Sequence, residues 1–372
     1  MGHTATEQLN TLVIGGGQAG LAVGYHLQRA GVPFLIVDAN HRTGDSWRNR
    51  WDSLRLFTPN RFNSLPGLTI RGADWDFPTK DELAEYLESY AAHFELPIRH
   101  GVKVDRLSRE GDGFKAVADH MTFEADNVIV AMASYQVPKT PAFATELDSR
   151  IVQLHVDDYR NPGQLQQGGV LVVGLGNSGA EIAKELAGDR KVWLSGEPSA
   201  VQPFRPERLS GRLLMPIVGP VILNRVLTTS TPMGRRARSK MLHKAAPLLR
   251  VKPRDLVAAG VQRVGRVTGV LDGYPQMEDG SVLDVSNVVW CTGFDPGFSW
   301  IDLPVFDQAG DVIHRRGVVD QIPGLYFVAL KFLHSFLSDT LLTVGRDAGY
   351  VVDHLVGRQP VSHSGSTSDS MA

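Results

Sequence analysis

The chain has 372 residues, 42% of them hydrophobic and 21% charged, with a formal net charge of −2. That length accommodates two domains, and so even a charge balance excludes a global attraction to nucleic acid. The single cysteine, Cys291, excludes an internal disulfide, a C-x-x-C redox pair and a cysteine zinc cluster, and no metal site is expected. The polar start, MGHTATEQLN, lacks a signal-peptide core, so a cytoplasmic protein is expected. Its formal match to Met-Gly-x-x-x-Thr is too short a pattern to argue for a lipid anchor.

In chain order, a short apolar strand at Leu12–Ile14 runs into Gly15-Gly16-Gly17-Gln18-Ala19-Gly20. A helix follows to about Ala30, and a second apolar run, Phe34–Val37, ends at Asp38. This is a βαβ unit with G-x-G-x-x-G in place. Gly15 turns the chain out of the strand, Gly17 leaves room for a pyrophosphate, and Gly20 lets helix and strand pack closely. With Gln18 and Ala19, the helix start offers free N–H groups and a positive dipole end. Asp38 stands where a carboxylate accepts the ribose hydroxyls of an adenosine. Gly44, Ser46, Trp47 and Arg48 come next, in a segment suited to lie along a flat aromatic cofactor, with Trp47 stacking and Arg48 donating. Thr79 and Glu82 form a capping box that opens a helix. Short strands are expected at 102–107, 114–118 and 121–123, then a buried strand at Asn127–Ala133. Pro138 and Pro141 mark a crossing segment.

A second fingerprint, Gly174-Leu175-Gly176-Asn177-Ser178-Gly179, again follows a strand and opens a helix, and its next strand ends at Ser195. Ala180 stands where G-x-S-x-G requires glycine, which rejects a hydrolase elbow; no P-loop or H-E-x-x-H is present. Two complete fingerprints imply two nucleotide cofactors, most simply FAD and a nicotinamide dinucleotide. Leu213–Leu227 is apolar but shorter than the ~20 residues of a membrane span, so a buried or surface-docking helix pair is expected. Residues 205–254 carry twelve Lys and Arg against one acid, Glu207. Such a run serves as a solvated face, or attracts cofactor or substrate phosphates or an anionic membrane surface. Strands are expected at Asn287–Cys291 and Leu325–Leu330, a helix from Leu341, and a disordered Ser-rich tail at 358–372.

These motifs in order resemble the flavin-containing monooxygenases, of the short bacterial type. The resemblance rests on GGGQAG, GDSWRNRWDSLRLFTP, the His155–Tyr159–Arg160 element, GLGNSG, WCTGF at Trp290–Phe294 and GRDA at Gly345–Ala348. It implies an α/β fold with two Rossmann-like, three-layer dinucleotide domains. The FAD domain would be 1–164 plus 286–357, with the NAD(P)H domain, 165–285, inserted into it. It implies FAD at the first fingerprint and NADPH at the second, with Thr292, Gly293 and Asp347 completing the cofactor contacts. The activity implied is NAD(P)H-driven oxygenation of soft nucleophiles (S or N) or ketones by dioxygen through a C4a-(hydro)peroxyflavin. The alternatives are an uncoupled flavin NAD(P)H oxidase or reductase, and a flavin-binding regulator of membrane transport.

The chain departs from the family pattern in four places. Ser149 and Ile151 replace the Phe and Gly that precede the hallmark His, leaving His155 and Tyr159 as a linker pair that couples the two sites. The first crossing reads Ala131-Met132-Ala133 rather than Ala-Thr-Gly. Phe57 stands where larger relatives place an asparagine above the flavin, so coupling of reduction to oxygenation turns on it. Ser195 does not repel a 2′-phosphate whereas Glu197 does, so both NADPH and NADH are expected to serve. The expected partners are a small-molecule substrate and dioxygen, with no nucleic acid and no transmembrane segment; peripheral membrane contact and a homodimer stay open.

Overall fold

The computed structural model describes residues 5–242 and 244–358. The lipid-anchor pattern at Gly2 and the tail beyond Arg358 lie outside the described residues. The first half contains β1 (Ala5–Ile14), α1 (Gln18–Arg29), β2 (Phe34–Asp38), α2 (Asp45–Arg48), α3 (Lys80–His93), β3 (Ile98–His100), β4 (Arg106–Glu110), β5 (Gly113–Ala118), β6 (Met121–Val130) and β7 (Val137–Pro138). Then come β8 (Val152–His155), β9 (Val170–Val173), α4 (Asn177–Leu186), β10 (Val192–Ser195), α5 (Leu209–Ile217), a π-helix (Val218–Val226), α6 (Pro232–Met241) and α7 (Pro253–Ala258). The chain closes with β11 (Gln262–Val264), β12 (Val267–Leu271), β13 (Tyr274–Met277), β14 (Asn287–Trp290), β15 (Phe294–Asp295), β16 (Leu325–Phe327) and α8 (Leu341–Arg358).

Two sheets result, the first mixed, with β4-β5 and β5-β6 antiparallel and its other pairs parallel, and the second parallel throughout. The first runs β3-β2-β1-β6-β5-β4, and β16 pairs with the far half of β6. β1 and β6 are in parallel register from Ala5↔Met121 to Ile14↔Val130. β1 therefore starts well before the expected Leu12, and the two strands expected at 121–123 and 127–133 are one. Neither Gly nor Pro interrupts Met121–Val130, so the ladder runs through. The second sheet runs β11-β10-β9-β14-β8, all parallel. Its central strand β9, Val-Leu-Val-Val, is buried at all four positions. Such an unbroken apolar run marks a strand covered on both faces.

β8 and β14 correct the expected division. Residues 152–155 and 287–290 fall within the segments assigned to the FAD domain, yet they pair with each other and with β9 in the second sheet. Their apolar side chains need that sheet: Val288 and Val289 are fully buried there. The chain crosses between sheets at 131–151 and 291–296, and there β7 and β15 pair antiparallel. The two crossings thus form one ribbon.

Helices α1, α3 and α8 cover one face of the first sheet. The helix-side core is continuous with that of the second sheet and includes Trp51, Val156 and Tyr159. The opposite face is covered by irregular chain, with Phe298, Ile301, Val305 and Val319 packed against Leu12, Val128 and Phe327. The Thr79 cap is present: its hydroxyl accepts from Glu82 N at 3.1 Å, and the Glu82 carboxylate accepts from Thr79 N at 2.7 Å. Such a cap contributes about 1 kcal/mol. Among the described residues, no helix is long and apolar enough to cross a membrane. Nor, among them, are three or more His, Cys, Asp or Glu side chains grouped to hold a metal.

Candidate active site

The two glycine turns are structural copies of each other. Gly15 N donates to Val37 O at 2.8 Å, and Gly174 N to Ser195 O at 2.9 Å. Ala131 N donates to Ile14 O at 2.8 Å, and Cys291 N to Val173 O at 2.7 Å. Gly15 and Gly174 have φ of +110° and +111°, values that favour glycine. A Cβ on Gly20 would stand 1.8 Å from Gly15 O, and one on Gly179 would stand 1.9 Å from Gly174 O. Those glycines are required by packing. Gly17 and Gly176 differ, because a Cβ there would meet nothing within 4 Å. The space beside them is open, at the N-termini of α1 and α4. Neither helix has a side-chain cap bond or an acid in its first turn. Free N–H groups, a positive dipole end and open space fit a pyrophosphate at both places.

The first site's side chains are more committed than the sequence suggests. Asp38 Oδ2 accepts from Gly16 N, and Oδ1 from the backbone and side-chain amides of Asn40. Oδ1 thus accepts two bonds and Oδ2 one, so the carboxylate's remaining acceptor capacity for a ribose lies chiefly on Oδ2. Trp47 Nε1 donates to Gln18 Oε1 at 3.3 Å, so the aromatic loop is tied to the phosphate turn. Ser46 is exposed beside it. Arg48 was expected to donate to a cofactor. Instead its guanidinium is held by Thr43 O, Asp45 and Glu88, and it braces the loop against α3. Phe57 is half-buried between buried Leu56 and Pro59.

At the second site, the Asn177 side chain bonds Pro247 O and Leu249 N, both at 2.9 Å. It pins the 247–249 loop to the first residue of α4. Ser195 is 1% exposed and its hydroxyl donates to Gly265 O at 2.8 Å. It is therefore spent on the protein and cannot reach a 2′-phosphate. Glu197, whose charge was expected to repel that phosphate, is paired with Arg263 at 2.7 Å. Arg263 comes from β11 beside β10, a neighbour in space that sequence alignment of the strand end does not reveal.

The ribbon holds the linker residues. His155 Nδ1 accepts from Asp157 N at 3.2 Å. Nε2 therefore carries the proton and donates to Gly293 O at 3.0 Å. Burial pushes the imidazole below its usual range, which keeps it neutral. Its ring also stands edge-on to Phe294, 5.0 Å between centroids. Thr292 donates its hydroxyl to Lys139 O across the ribbon. Tyr159 is fully buried and donates to Glu185 on α4 at 2.9 Å; burial raises its pKa far above the phenol range. His155 thus braces the crossing, and Tyr159 ties the chain after β8 to α4. Cys291 packs against the second turn, where a Cβ on Gly179 would lie 3.3 Å from its own, and burial pushes the thiol up to about 12. It is no nucleophile.

Sequence reasoning missed one pair. Tyr135, just past the carboxyl end of β6, donates to Asp339 Oδ2 at 2.9 Å. Desolvation raises both groups, Tyr135 strongly. Gln18 Nε2 reaches Asp339 O at 3.4 Å, which places the pair beside the first turn. The only signal was Tyr135's position at a strand's carboxyl end, where α/β sheets bind ligands; Asp339 lies in no motif. Asp347 is fully buried, with Oδ1 held by Arg346 at 2.8 Å and Oδ2 without a partner. An orphaned buried acceptor of this kind fits a donor from a bound group.

Residues 12–208 match the model of a family described as pyridine nucleotide-disulphide oxidoreductase. The chain is 39% identical over 350 residues to an uncharacterized oxidoreductase CzcO-like of Geobacillus kaustophilus, covering 94% of this chain and 98% of that one. It is 26% identical over 338 residues to the indole-3-pyruvate monooxygenase YUCCA1 of rice, Oryza sativa subsp. japonica, covering 82% and 81%. Among solved structures, a flavin-containing monooxygenase from Stenotrophomonas maltophilia superposes with a TM-score of 0.70 at 26% identity, over 94% of this chain and 99% of that one. With a single cysteine, the chain lacks the thiol pair that the disulphide chemistry in the family's description needs. The chain belongs to the pyridine nucleotide-disulphide oxidoreductase family and is an oxidoreductase of its flavin-containing monooxygenase branch.

Proposed function

We propose that the protein uses NADPH, FAD and dioxygen to oxygenate soft nucleophiles, sulfur or nitrogen, or ketones. The observation that carries this reading is the pair of equivalent glycine turns, each with open space at Gly17 or Gly176, joined by one ribbon. FAD bound at the first turn supplies a hydride acceptor and a centre that activates dioxygen. The chain's own part is positioning. Gly17, Gln18 and Ala19 hold the pyrophosphate, Asp38 the ribose, and Trp47 with Gln18 the ring side of the site. Gly176 and Gly179 hold the NADPH pyrophosphate. His155, through Gly293, fixes the ribbon that sets the distance between the two cofactors. We place the domains at 5–138 with 294–358 and at 139–293, and the protein in the cytoplasm.

Stoichiometry tests this. NADPH consumed, oxygenated product and hydrogen peroxide are measured with a panel of sulfides, amines and ketones. Product should account for most of the NADPH with at least one class; peroxide alone across the panel would defeat the proposal. A second reading, an NAD(P)H oxidase, is favoured by Phe57, which offers no hydrogen bond to hold bound nicotinamide. Phe57→Asn should raise the ratio of product to NADPH.

A further inference from the structure

Residues 209–226 concentrate exposed apolar side chains in one segment. Leu209, Leu213 and Ile217 are 71%, 65% and 55% exposed. They are four apart on α5 and so share one face. The stripe continues through exposed Val221, Ile222 and Val226 in the π-helix, whose wider turn brings a side chain back to the same face every four to five residues. Single exposed apolar residues are ordinary, but a contiguous stripe marks a docking surface. The segment is not loose chain. Thr229 N donates to His334 O at 2.7 Å, Phe336 N to Leu227 O at 3.2 Å, and Arg346 to Asn224 O at 3.2 Å. These bonds fix it to the first domain without using any residue of the stripe.

Its charge is as distinctive. Between Arg208 and Arg254 there is no acid at all. Arg212 and Arg225, within the same two helices, and Arg235, Arg236 and Lys240 on α6 are exposed. We propose that α5 and the π-helix dock peripherally on an anionic lipid surface, the stripe entering the headgroup boundary and the basic side chains meeting lipid phosphates. A second copy of this chain fits poorly, because a twofold contact would bring two acid-free basic surfaces face to face. A nucleic acid would satisfy the charges and leave the stripe in water. Pro216 and Pro220 interrupt the segment, consistent with lying on a bilayer rather than crossing it.

The test is co-sedimentation of the flavin-loaded protein with vesicles of phosphatidylcholine alone, or of phosphatidylcholine with phosphatidylglycerol. Binding is expected to the anionic vesicles only, and to weaken as salt shortens the range of the charges. Arg235→Gln with Arg236→Gln should lower binding about fivefold per charge removed. Leu213→Ser with Ile217→Ser should lower it about tenfold or more, with flavin content and circular dichroism unchanged. If that apolar variant does not fold, the two exposed arginines still decide the matter. No binding to anionic vesicles at low salt overturns the proposal, as does binding that neither pair of substitutions affects. A concentration-dependent dimer that Leu213→Ser with Ile217→Ser dissolves, without vesicle binding, would assign the stripe to a second copy instead.

Discussion

Tyr135 and Asp339 tie the chain just past β6 to the approach to α8, the phenol donating to the carboxylate at 2.9 Å. They are 204 residues apart in sequence. Desolvation raises the Asp339 carboxyl, and the bond from Tyr135 opposes that rise by favouring the charged form. Removing the bond must therefore move the titration up. Tyr135→Phe is expected to shift to higher pH the inflection in the rate of flavin reduction by NADPH, followed by stopped flow. An unchanged pH profile would remove the pair from the site.

The two glycine turns should separate the two cofactors. Gly17 has φ −78° and ψ −169°, a conformation open to any residue, and its missing Cβ faces empty space. Gly17→Ala should fold within about 1 kcal/mol of the parent and lose FAD affinity roughly tenfold or more, since the new methyl occupies the pyrophosphate's place. Gly176→Ala should keep FAD and lose NADPH affinity to a similar degree. Equilibrium dialysis with each nucleotide distinguishes them. Gly20→Ala should fail differently, because its Cβ would lie 1.8 Å from a backbone oxygen; no soluble folded protein is expected.

Coenzyme choice should run through Arg263. It neutralises Glu197 at 2.7 Å from the middle of β11, in register with Leu194 of β10, so it can share itself with a 2′-phosphate. The parent should use NADPH and NADH within a hundredfold of each other. Arg263→Ser should lower kcat/KM for NADPH by about fivefold, the upper value of one partly exposed charged contact, and leave NADH nearly unchanged. Equal losses with both coenzymes would mean that Arg263 only supports the strand.

Glu181 on α4 is half-buried 4.0 Å from Arg250. Burial raises its carboxyl from 4.5 to about 7 despite that arginine. The folded state thus holds a proton that the unfolded chain releases near 4.5. Stability from this group is present below that value, falls as pH climbs toward about 7, and is flat above. Glu181→Gln should be more stable than the parent at pH 8, by roughly 1–3 kcal/mol, and nearly equal to it at pH 5. Urea unfolding at the two pH values measures this, and a difference that does not vary with pH would refute it.

Much of this was written in the chain. Both G-x-G-x-x-G turns were legible because strand, glycines, helix and strand are contiguous, and local sterics dictate glycine at φ near +110°. The Thr79–Glu82 box was legible for the same reason, being a contact within one turn. Chain order did not show that β8 and β14 join the second sheet, because parallel pairing is decided by which buried apolar strands find each other. Arg263 beside Glu197, and Ser195 turned to Gly265 O, depend on a strand some seventy residues away. Arg48, Asn177, His155 and Tyr159 stand in motifs, but where their side chains point depends on partners supplied by other elements. Tyr135 and Asp339 carried no motif at all. The sequence by itself determined two nucleotide turns, since each is built from consecutive residues under local steric rules. Only the tertiary structure decided which polar side chains remain free to face a ligand, because a hydrogen bond to a distant carbonyl or carboxylate commits a side chain wherever its motif falls.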